Sequence, residues 1–241
     1  MLHQEFISSM AMRQRYWARS MNGWPYVRDA RPNGAHLALA ELERLGHVSL
    51  LVTQNVDRLH QQAGSAAAVD LHGRLDRVSC RSCGTHLARD ELQEELKQAN
   101  PDYASHRAEI RPDGDAEVEE RWVRHFQVPD CRVCGGMLMP DVVFFGGNVP
   151  ASRVAQVQQA LMGADALLVV GSSLTVWSGY RFCRQAGMLG KPLLIINRGT
   201  TRADNIAQLK LEMEAEPALN GLLAGLRAQA EVTSNALQVD P

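Results

Sequence analysis

Two cysteine pairs constrain this chain more than any other feature. Cys80 and Cys83 are separated by two residues, Cys131 and Cys134 likewise, and each second cysteine is followed by a glycine, Gly84 and Gly135. Two intervening residues let both sulfurs of a pair turn onto one ion, and two such knuckles complete the tetrahedral sulfur set that zinc prefers. The glycines supply the backbone freedom that a tight knuckle turn needs. Four thiolates close the coordination shell and leave no position for water or substrate. The expected metal, one zinc per chain, is therefore structural and not catalytic. Cys183 stands apart in a helix-like stretch and reads as a small buried hydrophobe.

The residues between the pairs have their own character. Positions 84–130 hold 6 Lys or Arg and 12 Asp or Glu, a net of −6 in a 241-residue chain whose total is −2. A helix-like stretch, ARDELQEELKQA, and a loop, RPDGDAE (111–117), lie within them. Zinc modules can bind nucleic acid, but phosphate contact needs cations, and this acidic piece argues against it. A pI near 6.4 points away from both nucleic-acid and membrane partners. No apolar run approaches the roughly 18 residues of a membrane span, and MLHQEFISSMAMRQRYW lacks the apolar segment and cleavage site of a secretory signal. The expectation is a soluble intracellular protein.

Around this piece the pattern alternates. GAHLALAELERLG, entered from Asn33, predicts a helix stopped at Gly46, and HVSLLVTQN predicts a short buried strand. SRVAQVQQALMGA (152–164) predicts a helix capped by Ser152. ADALLVVGSSL predicts a strand closed by Gly171, YRFCRQAGMLG a helix, and KPLLIINRG a further strand. This is the rhythm of a parallel sheet with helices on its faces, whose ligands sit beyond the carboxyl ends of the strands. Three strand ends are polar: Thr53-Gln54-Asn55, Gly171-Ser172-Ser173 and Asn197-Arg198-Gly199.

These motifs occur in a telling order. T-Q-N-V-D-R-L-H (53–60), A-G (63–64), D-L-H-G (70–73), the cysteine pairs, P-D-V-V-F-F-G (140–146), G-S-S-L-T-V (171–176) and I-N-R-G (196–199) together resemble the sirtuins, NAD-dependent protein deacylases. The stretch R-Y-W-A-R-S, G-W-P and R-P-N-G-A-H is similar to their class II branch, which includes a mitochondrial member and bacterial counterparts. The resemblance implies an α/β fold: a Rossmann-like parallel-sheet domain over 1–72 and 141–241, with an inserted zinc-binding module over 73–140. It implies NAD+ as co-substrate and acylated-lysine proteins as substrates, in the cytoplasm for a bacterial chain or the mitochondrial matrix for a eukaryotic one.

Residue by residue, His72 matches the family's catalytic histidine, the general base for a ribose hydroxyl. Asn55 and Asp57 match residues that hold the nicotinamide carboxamide and nearby ribose, with Gln54 lining that pocket. Gly171, Ser172 and Ser173 match the loop that meets the phosphates and ribose, and Asn197 an adenosine-ribose contact. Val143 and Phe145 match the strand that clamps acyl-lysine, and alternation sends only one of Phe144 and Phe145 to the tunnel. Tyr16 and Arg19 have the spacing of an acid-recognising pair, or form an ordinary helix-surface arginine and its neighbour. The residue types suit the chemistry: an imidazole accepts a hydroxyl proton near neutral pH, and small or hydroxylated residues let a diphosphate approach the backbone.

The chain also departs from the family pattern. Sirtuins begin with a strand, a G-A-G loop and an Asp-Tyr-Arg element. No glycine precedes Gly23 here, and Met1 enters the pattern after both motifs. A start assigned too far downstream and a truncated, non-catalytic interaction protein both account for this, and the intact His72, Asn55 and Asp57 favour the first. ADP-ribosyl transfer to protein is a third reading. Gly147 stands where the pattern usually has Glu, and Arg58 where Gly is common.

Overall fold

The computed structural model describes residues 1–104 and 118–237, with side chains through 231. The RPDGDAE loop expected at 111–117 lies outside the described residues. In chain order the elements are α1 (His3–Ser8), α2 (Met10–Asp29), α3 (Gly34–Arg44), β1 (Leu51–Thr53), α4 (Leu59–Gln62), β2 (Ala68–Asp70), β3 (Gly73–Cys80) and β4 (His86–Ala88). They continue with α5 (Arg89–Ala99), α6 (Pro101–Ala104), α7 (Glu120–His125), β5 (Leu138–Val142), α8 (Ala151–Gly163), β6 (Leu167–Val170), α9 (Trp177–Met188) and β7 (Leu193–Ile196). A 3-10 turn (Asp204–Ile206), β8 (Leu209–Leu211) and α10 (Ala215–Leu237) complete the chain.

Two compact units emerge. One comprises Met1–Ala30, Thr53–Arg58 and His72–Val149, and the other Arg31–Val52, Leu59–Leu71 and Pro150–Pro241. Both are assembled from separated segments, and their limits differ from the divisions at 72/73 and 140/141 read from the sequence, because α1 and α2 group with the cysteine-bearing segment.

In the first unit β3 is the centre of an antiparallel sheet ordered β4-β3-β5. The side chain of Ser9 caps α2 by accepting from the Met12 N–H at 3.3 Å. Trp17, Met21 and Trp24 recur at helical spacing and are buried. Trp17 joins Phe6, Val78, Leu92, Leu96, Tyr103, Phe126 and Leu138 in one core. Gly73 opens β3 with φ +87°, and an added Cβ would fall on the Asp141 carbonyl oxygen. Only glycine allows β3 and β5 to approach there. The register between them shifts between Gly73 and Val78, a bulge that releases residues 74–77 from the β5 ladder.

In the second unit β6, β7 and β8 form a parallel sheet, with Leu167 opposite Leu193 and Leu194 opposite Leu209. β1 pairs with β2 in a separate two-stranded ladder. Asn33 caps α3 through the His36 N–H, and α3 buries Ala38 and Leu42 against Leu219 and Leu223 of α10. Gly46, φ +82°, ends the C-terminal turn after α3 as expected. One expectation is corrected: Ser152 does not cap α8. The helix starts at Ala151 with Pro150 in the cap position and no side-chain cap bond, so Ser152 already lies inside the first turn. Neither β8 nor α10 was expected from the sequence. No helix among the described residues is long and apolar enough to cross a membrane.

Candidate functional site

The four cysteines come together. All four Sγ atoms lie within 4.8 Å of one another, with Cys80 to Cys134 at 3.5 Å and Cys83 to Cys131 at 3.8 Å. A tetrahedron of sulfurs about 2.3 Å from zinc has edges of about 3.8 Å, so the separations fit the ion. Both knuckles are built alike. The Gly84 N–H donates to the Cys80 carbonyl at 3.1 Å and the Gly135 N–H to the Cys131 carbonyl at 2.8 Å, with both glycines at positive φ. Crowding splits the thiol acidities. Cys83 is brought down to about 6, first by the Thr85 hydroxyl, and Cys134 is pushed up to about 12 by the Cys83 and Cys80 side chains. Four sulfurs so close need a cation to be thiolates together. The cluster has the donor set and spacing to hold a structural zinc ion.

His72 is fixed from two sides within the first unit. Its Nδ1 lies 3.1 Å from the Gln54 carbonyl oxygen. Its own carbonyl accepts from the Val143 N–H at 2.8 Å. A carbonyl can only accept, so that bond places the proton on Nδ1 and leaves Nε2 as the accepting nitrogen. The loop that supplies Gln54 turns tightly, with the Asn55 N–H donating to the Thr53 hydroxyl at 3.1 Å. It is tied to β3 by the Leu75 N–H donating to the Val56 carbonyl at 2.8 Å. The loop that carries Gln54, Asn55 and Asp57 is thus hydrogen-bonded to His72 and to the strand that follows it.

The segment after β5 behaves differently from a continuous strand. Regular pairing stops at Val142, and only Phe145 forms an isolated parallel bridge, with Leu2. Phe144 turns inward, its ring 5.2 Å from both Phe6 and Tyr16. Phe145 turns outward and is 66% exposed, while Val143 is half-buried. The alternation expected from the sequence is therefore present, with Phe145 and not Phe144 on the open side.

Tyr16 is held from below. Its hydroxyl meets Ser20, and burial pushes its pKa up to about 12. The Ser20 hydroxyl and carbonyl also accept from Arg89, each at 3.1 Å. Arg89 is 2% exposed, with its guanidinium 5.6 Å from the Trp17 ring and 5.4 Å from the Trp24 ring and one N–H donated to Gln93 at 2.8 Å. Burial draws it down to about 10. Sequence reasoning passed over Arg89 and Ser20. The signal was the cluster of aromatics at 16, 17 and 24, which marks where a buried guanidinium can be stabilised.

In the second unit the polar strand ends form compact turns. Gly171 follows β6 at φ +61° and donates to the Ile196 carbonyl at 2.9 Å. The Ser172 hydroxyl accepts from the Leu174 N–H at 3.2 Å, and Ser173 Oγ lies 2.9 Å from Thr175 Oγ1. The Arg202 N–H donates to the Ser173 carbonyl at 2.9 Å. Asn197 follows β7, and its side-chain amide donates to the Arg198 and Gly199 carbonyls at 2.7 and 3.1 Å. Gly171, Ser172, Ser173 and Asn197 therefore stand beyond the carboxyl ends of two adjacent parallel strands, the place where open α/β sheets bind ligands.

Comparison with known proteins matches this arrangement. The sequence profile described as the Sir2 family matches residues 1–178. The NAD-dependent protein deacetylase of Xanthomonas axonopodis pv. citri is 52% identical over 216 residues, 90% of this chain and 74% of that protein. NAD-dependent protein deacetylase 2 of Bradyrhizobium diazoefficiens is 51% identical over 220 residues, 91% of this chain and 81% of that protein. A Sir2 structure with a p53 peptide and NAD+ superposes with a TM-score of 0.75 at 27% identity, covering 93% of this chain and 81% of that one. A Sir2 structure bound to acetylated peptide gives 0.76 at 26% identity, covering 93% and 82%.

Proposed function

Because the chain belongs to the Sir2 family, with its Rossmann-like α/β fold, we propose that it is an NAD-dependent protein-lysine deacylase and that the residues above take the roles their motifs imply. The observation that carries the reading is the imidazole of His72, whose Nδ1–H is donated to the Gln54 carbonyl, which makes Nε2 the basic nitrogen of the ring. Relatives at about 50% identity are NAD-dependent protein deacetylases, and NAD+ is the co-substrate of that chemistry.

In this reading Asn55 and Asp57 orient the nicotinamide carboxamide, with Gln54 beside them. Gly171, Ser172 and Ser173 receive the phosphates and ribose, and Asn197 the adenosine ribose. Val143 and Phe145 flank the acyl-lysine, whose peptide adds to the segment by main-chain pairing. The acyl oxygen attacks the ribose carbon that bears nicotinamide, and nicotinamide departs with the bonding pair. His72 takes a proton from a ribose hydroxyl, which then attacks the acyl carbon. Water completes the release of free lysine and O-acyl-ADP-ribose. Zinc takes no part in these steps; it holds the knuckles. The functional division remains 1–72 and 141–241 for the cofactor and 73–140 for the zinc module. The acidic 84–130 piece and the balanced charge support a protein substrate and neither nucleic acid nor membrane. The bacterial relatives support a cytoplasmic location.

The test is nicotinamide release by the 241-residue chain with NAD+ and a panel of acyl-lysine peptides, with His72→Ala alongside. Peptide-dependent release that vanishes in the variant, with the acyl group recovered on ADP-ribose, is the expected result. Release without peptide, with ADP-ribose on protein, would replace deacylation by ADP-ribosyl transfer. No release by folded, zinc-loaded protein would refute turnover by this chain.

A further inference from the structure

β3 and β5 are joined unevenly where they lead into the site. On the site side Gly73 pairs with Val142, and the Val143 N–H donates to the His72 carbonyl at 2.8 Å. Regular pairing resumes only at Val78 and Pro140. Residues 74–77 of β3 therefore stand against Asp141 alone on β5. Bulges of this kind bend a strand and re-aim its side chains. Within the gap the main chain of β3 turns elsewhere, the Leu75 N–H bonding the Val56 carbonyl at 2.8 Å. A side chain spans the gap instead. Nε and Nη2 of Arg77 both donate to Oδ2 of Asp141, the first at 2.8 Å. The main chain of Arg77 is paired with Ala88 of β4, so its guanidinium extends from a residue already fixed in the sheet. The Asp141 side chain is only 22% exposed, which limits how far solvent can screen the pair. The Asp141 carbonyl oxygen is also the atom that an added Cβ at Gly73 would strike. One residue thus carries both the close backbone approach beside His72 and the carboxylate that Arg77 grips.

We propose that Arg77 and Asp141 are positioning residues: their charge-assisted bonds latch the end of β5 across the bulge and so fix Val143 and Phe145 relative to the imidazole of His72. Without the latch, the site-side pairing is a short piece, Gly73 with Val142 and His72 with Val143, hinged on a strand that carries surplus residues. Small displacements there matter, because reacting groups must be held about 3–3.5 Å apart in the right orientation. The functional half of the inference rests on the reading of Val143 and Phe145 as the acyl-lysine segment.

The test uses Arg77→Gln, Asp141→Asn and the Arg77→Gln/Asp141→Asn pair in the full chain. The readouts are hydrogen–deuterium exchange over residues 142–146, the thermal midpoint, and KM for NAD+ and for an acetyl-lysine peptide measured separately. Each single variant should quicken exchange in that segment and raise KM for the peptide roughly two- to fivefold, the scale of a partly exposed ion pair. KM for NAD+ should stay within about twofold, since the pair acts on the peptide side of the imidazole. The thermal midpoint should fall by only about 1–4 °C, which keeps every variant folded at the assay temperature. The double variant should be no worse than the stronger single one. Unchanged exchange in the single variants, or additive effects in the pair, would overturn the latch. A lowered midpoint and quickened exchange with unchanged KM for the peptide would make the pair merely structural, and an equal rise in both KM values would make the loosening general; either overturns the positioning role. An unsubstituted chain that turns over no acetyl-lysine peptide would refute the reading of the segment, and exchange would still decide the latch.

Discussion

Gly73→Ala isolates the contact on which the placement of His72 depends. The substitution asks an L-residue to hold φ +87° and puts a methyl group onto the Asp141 carbonyl oxygen, 3.0 Å from its carbon and from Val142 Cα. The torsional part costs about 1–2 kcal/mol. The clash is with backbone, which cannot swing aside as a side chain can, and it adds about 1–3 kcal/mol of overpacking. The sum is about 2–5 kcal/mol, roughly 4–20 °C in thermal midpoint for a chain of this size. Gly46→Ala is the control, since Gly46 has φ +82° with nothing within 4 Å of an added Cβ and carries the torsional part alone. Thermal and urea unfolding of the two variants should therefore differ by the clash, and nicotinamide release should fall only in Gly73→Ala, where the β3–β5 approach carries the His72–Val143 bond. If both variants lose stability equally, within about 0.5 kcal/mol, the backbone clash is not what requires glycine and the reasoning fails.

Four further outcomes are expected. Metal analysis should find one zinc per chain, and Cys131→Ser, which removes a buried ligand, should release the metal and unfold the cysteine-bearing segment, seen as loss of protease resistance. Arg89→Met should cost about 2–4 kcal/mol by stranding Ser20 and Gln93 and emptying the space between Trp17 and Trp24, read by tryptophan fluorescence during unfolding. Tyr16→Phe should leave the ratio of succinyl- to acetyl-lysine turnover unchanged, because the hydroxyl is directed at Ser20; a selective loss of succinyl turnover would show that it meets the substrate. Hydrogen bonds from Arg44 and Arg227 hold Glu41 down from its ordinary 4.5 to about 2. A lowered folded-state value means stability present above pH 4.5 and lost as pH falls toward 2, so acid unfolding of Glu41→Gln should be flatter than that of the unsubstituted protein in that window.

The parts of this molecule that were legible in its sequence are those where chemistry restricts residue type. Metal-binding thiols tolerate no substitute, so Cys80, Cys83, Cys131 and Cys134 announced a cluster that the fold assembles. The runs at 167–170 and 193–196 are apolar because both faces of a parallel strand are covered. Leu209–Leu211 escaped because three residues interrupted by Lys210 have no pattern of their own and become a strand only beside β7. Ser152 misled because a good capping residue stood two positions too late, after Pro150 had taken the cap position and Ala151 had begun the helix. Arg89 was invisible for a different reason: a buried guanidinium is set by its tertiary neighbours, here two indoles, and nothing local to it marks it.

The bond that sets the imidazole's tautomer ends on a main-chain oxygen. Every amino acid that could replace Gln54 carries that same oxygen, so the accepting nitrogen of His72 is sheltered from point mutation at its partner's position. Drift at 54 can retune the pocket wall while the proton stays in place, and a designer gains the same liberty. The price is paid elsewhere: the tautomer can be disturbed only by moving the loop itself, so heritable damage to proton transfer should map to residues that shape the backbone around 53–58 and not to the histidine's hydrogen-bond partner.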